Sequence, residues 1–320
     1  MLRVSATWLQ YMPLYPCFLV SSSHAIMNPM NPTRPLPGNR YLLIVAMLLA
    51  DSVHYVAACL LLPLVPPGSS AFYVLAIATA EVALYGLARK QLNLRAFGEH
   101  KWSLLAIGFL VATATNLSFQ AVRFIDPGTA SMLSQTSTLF ALGFSLLWLR
   151  ERLSRAQAAG AVLALAGALL ITFQRGDYLR VGALIVISSS FLYALHAAVS
   201  KRYTGDMDFL DFFFFRLLCS TAFLFPLAWS TGDLVWPASR AWPLLLLVGT
   251  VDVAVSRALY YVVLQRLKLS VHAIALTVSP LLAVIWAMLL FDAHPTLRQL
   301  LGGVAVILGA LVVVSQRTRN

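Results

Sequence analysis

Residues 147–170 read LWLRERLSRAQAAGAVLALAGALL. A knot of charge, Arg150, Glu151, Arg152 and Arg155, divides two runs that are almost wholly apolar. The pattern returns 142 residues later, at 289–312, as LLFDAHPTLRQLLGGVAVILGALV. Leu147 falls on Leu289, Ser154 on Thr296, Gln157 on Gln299, Gly160 on Gly302 and Gly167 on Gly309. The register extends upstream, with Ser137 on Ser279 and Ala141 on Ala283. The chain therefore reads as two halves, 41–180 and 181–320, behind an N-terminal segment 1–40.

Composition sets the solvent for these halves. The 320 residues are 60% hydrophobic and 11% charged, with a mean hydropathy of +0.80. Soluble domains carry about 25% charged residues and about 45–50% apolar ones. So few charges cannot cover a water-soluble surface, and a membrane protein is expected. Ten apolar runs approach the ~20 residues that span a bilayer as a helix: 41–62, 70–88, 103–124, 128–149, 156–174, 181–200, 209–230, 242–264, 270–291 and 298–315. Alternating strand patterns are absent, so the expected fold is all-α, with ten transmembrane helices.

Five helices per half is an odd number, so the second half must enter the membrane upside down, as an inverted-topology repeat. Charge agrees. With the N-terminus cytoplasmic, 16 lysines and arginines fall in inner segments, among them Arg89, Lys90, Arg150, Arg152, Arg155, Lys201 and Arg202. Only Arg123, Arg175, Arg180, Arg240 and Arg298 fall outside. From this positive-inside bias both termini are expected in the cytoplasm, and the chain is expected in the cytoplasmic membrane. It also explains the net charge of +11 without nucleic acid. The knot at 150–155 lies inside, whereas its copy lies outside and keeps only Arg298. Residues 1–40 are expected to be a cytoplasmic tail or an over-long gene start, with Met27 or Met30 as alternatives to Met1. Pro13 and Pro16 interrupt what would otherwise resemble a signal peptide.

Gly160 and Gly167, like Gly302 and Gly309, stand seven apart on one helix face, where small residues let helices approach closely. The stretch GTASMLSQTSTLFALGFSLLWLRERLSRAQAAGAVLALAGALLI resembles the second half of an EamA repeat unit of the drug/metabolite transporter superfamily. The likeness lies in a small-residue helix, an acidic-basic turn of the E-R-L-S type, and a Gly-x6-Gly helix. LTVSPLLAVIWAMLLFDAHPTLRQLLGGVAVILGALVVV resembles it again, with the expected proline at Pro280. The first copy has Thr138 where the family usually has proline, and the second has Ala293 in place of the turn glutamate. The likeness is good over runs 3–5 and 8–10 and loose over 1–2 and 6–7. It implies a secondary transporter of small organic solutes, often directed outward. The alternative is a flippase for a lipid-linked or polyprenyl-phosphate substrate, which the arginines would suit.

Ionisable residues inside apolar runs need a partner or water, because each costs about 2.5–3.5 kcal/mol at a helix centre. Asp51 and His54 are three apart on the first run and form a carboxylate–imidazole couple suited to proton relay or to fixing that helix. With Glu81 and His196 they are the proton-coupling candidates; His54 falls on His196 in the repeat register. Run 3 carries a stripe of Thr113, Asn116, Gln120 and Arg123, and run 4 one of Ser131, Gln135 and Thr138. Two such stripes read as facing walls of a cavity. Arg216, Asp252, Arg257, Tyr260, His272 and Trp286 complete the substrate-cavity candidates. Asp252 and Arg257, five apart, point about 140° from each other on a regular helix and must look to other helices.

Nucleotide-binding loops, HExxH and G-x-S-x-G are missing, so neither an ATP-driven pump nor a soluble-type enzyme is expected. Cys17, Cys59 and Cys219 show no metal or disulfide spacing. No metal, cofactor or catalytic residue is expected. The expected partners are a small-molecule solute and the lipid bilayer, and a homodimer stays open.

Overall fold

The computed structural model describes residues 40–148, 154–172, 177–204, 207–260 and 279–315. All regular structure among these residues is helical. In chain order the helices are α1 (Arg40–Ser52), α2 (His54–Leu61), α3 (Pro67–Ala88), α4 (Arg95–Ala121), α5 (Pro127–Ser134) and α6 (Thr136–Trp148). Then come α7 (Arg155–Thr172), α8 (Asp177–Tyr203), α9 (Phe209–Ser230) and α10 (Trp242–Val248), which continues into a π-helical segment, Gly249–Val255. Finally come α11 (Ser279–Phe291) and α12 (Leu297–Ser315). Among the described residues six stretches are long and apolar enough to cross a bilayer: Leu42–Leu61, Pro67–Ala88, Arg95–Ala121, Val181–Ser200, Phe209–Ser230 and Ser239–Tyr260. Arg155–Leu170, Ser279–Phe291 and Leu297–Val312 are shorter apolar helices.

Among the described residues, three of the ten apolar runs are not single regular helices. The first breaks at Val53, between α1 and α2; the fourth breaks at Gln135, between α5 and α6. The eighth, preceded by a short 3-10 turn (Ser239–Ala241), passes through α10 into the π segment. No proline or glycine stands at Val53 or Gln135, but hydroxyls beside each break bond carbonyls of the preceding turn: Ser52 Oγ donates to the Leu49 carbonyl (2.9 Å), Ser134 Oγ to that of Ser131 (2.7 Å) and Thr136 Oγ1 to that of Leu133 (2.8 Å), a local cause of helix bending.

The stretch at 154–157 now has a physical role. The backbone N–H of Ser154 donates to Gln157 Oε1 (2.9 Å), and the N–H of Gln157 donates to Ser154 Oγ (3.1 Å). This reciprocal capping box satisfies two N–H groups that α7 cannot bond internally. Thr296 and Gln299 repeat it at α12, at 2.7 and 3.3 Å. Ser154→Ala is expected to cost about 1 kcal/mol, the usual value of a lost N-cap. Thermal denaturation in detergent reads it, and a loss below a few tenths would mean that the box does not hold the helix.

The two repeats meet through contacts that map onto one another in the 142-residue register. Thr79 on α3 bonds Thr221 on α9 (3.0 Å), its own equivalent. The N–H of Asn93 donates to Asp211 Oδ1 (2.8 Å), and the N–H of Val235 donates to Ser69 Oγ (2.9 Å); each pair is the register image of the other. Gly160 lies against the Gly309 carbonyl, and Gly167 against the Gly302 carbonyl. In both the α3–α9 and α7–α12 pairs, the start of one helix faces the end of the other. The pairs are antiparallel, and the contacts describe a pseudo-two-fold axis perpendicular to the helices, passing at Thr79 and Thr221.

Candidate functional site

On either side of Thr79 and Thr221 the helices line a small polar cavity of about 30 Å³. Its wall comprises His54 on α2, Leu75 on α3, and Val111, Thr115 and Phe119 on α4. Tyr193 on α8, Arg216 and Leu217 on α9, and Asp252, Val253 and Arg257 in and after the π segment complete it. Each half contributes, so the cavity exists only because the repeats are docked.

Two pairs of ionisable side chains cross between the halves there. His54 Nδ1 lies 2.9 Å from Asp252 Oδ2, with side-chain exposures of 17% and 2%. Arg257 Nη1 lies 3.4 Å from Asp51 Oδ1, and Asp51 Oδ2 accepts from Ser279 Oγ at 2.8 Å. Asp51 and His54 therefore do not act as a couple on one helix. The break at Val53 separates them, and each reaches its own partner in the second half. Asp252 and Arg257 likewise look to other helices, as their spacing requires. His54 also packs edge-on against Phe119, with ring centroids 5.9 Å apart. Among the described residues, buried His54 Nε2 and Asp252 Oδ1 have no hydrogen-bond partner. Polar atoms left so in a buried site are available to a ligand or water.

Several candidates lie elsewhere. Glu81 accepts from Thr250 Oγ1, off the cavity wall. His196 Nδ1 bonds the Tyr193 carbonyl within its own helix, and the His196 ring packs on the Tyr193 ring at 5.8 Å. The amide stripe of α4 does not face the cavity: Gln120 donates to Asp233 Oδ2 (3.0 Å), and Arg123 lies 3.9 Å from the same carboxylate. Asn116 is half-buried and also off the cavity wall. The face that lines the cavity is Val111–Thr115–Phe119, spaced four and four. The close packing of Gly108 against Cys219 sets this rotation of α4. Half-buried Gln135 caps α5, away from the wall. Trp286 Nε1 donates to Ser52 Oγ (3.1 Å), tying α11 to α1. Tyr260 is half-buried and not on the wall. His272 and the Thr138 side chain lie outside the described residues.

Sequence reasoning missed Tyr193 and Thr115, which bond each other at 2.8 Å across the cavity. Their signal was present. In the repeat register Thr115 falls on Arg257, and Tyr193 is the image of Asp51. Among the described residues no cluster of three or more His, Cys, Asp and Glu side chains suits a metal ion.

Apolar membrane-length helices, built as two repeats around a shared polar cavity, define a multi-pass membrane protein of the transporter class. The sequence profile of the EamA-like transporter family matches residues 39–173 and again residues 180–315. The chain belongs to that family, whose members are transporters rather than enzymes. It is 27% identical over 190 residues to "Uncharacterized transporter YdfC" of Bacillus subtilis, covering 58% of this chain and 62% of that protein's length. It is 27% identical over 217 residues to "Pseudopaline exporter CntI" of Pseudomonas aeruginosa, covering 66% and 74%. To the "Probable terminal-alkyne amino-acid exporter" of Streptantibioticus cattleyicolor it is 24% identical over 200 residues, covering 59% and 64%. A solved crystal structure, 20% identical, superposes with a TM-score of 0.61 over 86% of this chain and 96% of the other. That likeness concerns the fold alone.

Proposed function

We propose that this chain is a secondary transporter that moves a small organic solute across the cytoplasmic membrane by alternating access. The observation that carries the reading is the cavity crossed by Asp51–Arg257 and His54–Asp252. Buried ionisable groups facing one another across two repeats mark a solute or ion pathway, because packing alone does not repay their insertion cost. Ten spans, as two inverted five-helix repeats, fit this reading. The pseudo-two-fold lies perpendicular to antiparallel helices, so it runs in the membrane plane if those helices cross the bilayer. The positive-inside bias supports cytoplasmic termini. Outward transport is supported by two relatives that are named exporters. In this reading His54 and Asp252 on the cavity wall, with Asp51 bonded to the wall residue Arg257, are the proton-coupling groups.

The test is uptake and counterflow in proteoliposomes of the full chain, with and without a pH gradient. Saturable flux of an amino-acid-type solute, several-fold above protein-free vesicles, is expected. Absence of flux across a broad panel of organic solutes, with lipid scrambling instead, would replace the reading with a flippase. Flux that is unchanged in Asp51→Asn and indifferent to the pH gradient would remove the proton role of Asp51.

A further inference from the structure

We propose that Thr115–Tyr193 and Asp51–Arg257 are the two gates of the cavity, closing it from opposite membrane faces and opening one at a time. This rests on the transport reading above and adds the residues that control access.

The two contacts are one contact made twice. Adding 142 to Thr115 gives Arg257, and subtracting 142 from Tyr193 gives Asp51; the hydroxyl pair (2.8 Å) and the ion pair (3.4 Å) are therefore related by the pseudo-two-fold. A symmetry-related pair of bonds lies at equal depth on opposite sides of the axis. That depth follows from helix rise. The α4 and α9 helices run parallel, because Gly108 packs on Cys219 and Gln120 reaches Asp233. Thr115 is seven residues beyond Gly108, and the axis residue Thr221 is two beyond Cys219. The net five residues place Thr115 about 7 Å from the axis at 1.5 Å per residue. The displacement is toward the face where Val235 meets Ser69. Arg257 lies the same distance toward the face where Asn93 meets Asp211. Gly249, packed on Ile77 and Val74, gives the same result from the other half. Asp252, three residues past Gly249, sits near the axis with His54. The His54–Asp252 pair thus occupies the centre, with one cross-repeat bond above it and its image below.

Both bonds are made in this structure. They differ in kind: one gate is a neutral hydroxyl pair and the other an ion pair. Each joins one half to the other, so a rocking of the repeats that breaks one leaves its image intact.

The experiment uses the full chain in sealed vesicles of known orientation. Cys17→Ser, Cys59→Ala and Cys219→Ala remove the native thiols, and Val111→Cys on the cavity wall is the probe. A charged, membrane-impermeant methanethiosulfonate is added from one face or the other and the labelling rate followed. Tyr193→Phe, or Thr115→Val as a second variant of the same gate, should raise labelling from the Ser69–Val235 face about fivefold, the worth of one hydrogen bond. Labelling from the other face should not change. Asp51→Asn should raise labelling from the Asn93–Asp211 face about tenfold, charged bonds being the stronger. Equal acceleration from both faces, no acceleration, or reversed sidedness overturns the proposal. Labelling needs no solute. The expected sidedness without solute flux would therefore support the gates and fail the transport reading; flux without sidedness would fail the gates alone.

Discussion

Replacing His54 with leucine is expected to destabilise the folded protein by about 3 kcal/mol, the upper cost of leaving a buried polar group without its hydrogen-bond partner. Asp252 is only 2% exposed at its side chain, and His54 Nδ1 at 2.9 Å serves its Oδ2. Its Oδ1 has no partner among the described residues, and Arg257 is committed to Asp51. Leucine would leave Asp252 Oδ2 buried without a hydrogen-bond partner. The double variant His54→Leu/Asp252→Leu should recover most of that stability, because no buried polar group is then left unpaired, while solute flux falls about 100-fold, as the loss of a functional polar group can exact. Thermal denaturation in detergent gives the stabilities, and counterflow gives the flux. If the double variant is as unstable as the single one, the pair is not the unit that matters. If flux survives in it, the pair serves folding only.

The second large effect concerns the helix pair α7–α12. Gly167→Val is expected to cost about 3 kcal/mol, at the upper end of overpacking costs. A Cβ at Gly167 would sit 2.5 Å from the Gly302 carbonyl oxygen and 2.7 Å from the Val306 nitrogen. Both are backbone atoms of α12 that no rotamer change can move, so the helices must separate. In lipid no water-driven force opposes that separation; association rests on the close packing itself. Gly143 on α6 is the control: a Cβ there meets nothing within 4 Å, and Gly143→Ala should be neutral or slightly stabilising. Folded yield and melting temperature check both. Equal losses for the two variants would show that glycine matters here through something other than the crossing.

The repeat was legible because its signals are local. A Ser/Thr-x-x-Gln cap and a Gly-x6-Gly face act within one helix and its first turn, so they survive duplication and can be aligned without a structure. The charged residues of the cavity were legible for a different reason: Asp51, His54, Arg216, Asp252 and Arg257 are costly in an apolar run wherever they point. Their pairing was not legible. Three-residue spacing joins Asp51 to His54 on a regular helix, yet the helix breaks at Val53 and sends each to a different partner. The α4 stripe misled for a related reason. That helix carries polar residues on two faces, Thr113–Asn116–Gln120 and Thr115–Ser118, and only packing against α8 and α9 selects one. Ser118 bonds Ser189 of α8 (2.8 Å), and Thr115 bonds Tyr193.

By itself the sequence determined the solvent, the helical class, the duplication and its register, because hydropathy, charge bias and capping are properties of single segments. Tertiary structure alone decided which residues face the shared cavity. That choice depends on the rotation of each helix about its axis, set by contacts between segments far apart in the chain. The register that begins at 147–170 links the two levels: it pairs Thr115 with Arg257 and Tyr193 with Asp51, and the docked repeats turn those equivalences into bonds on opposite sides of one cavity.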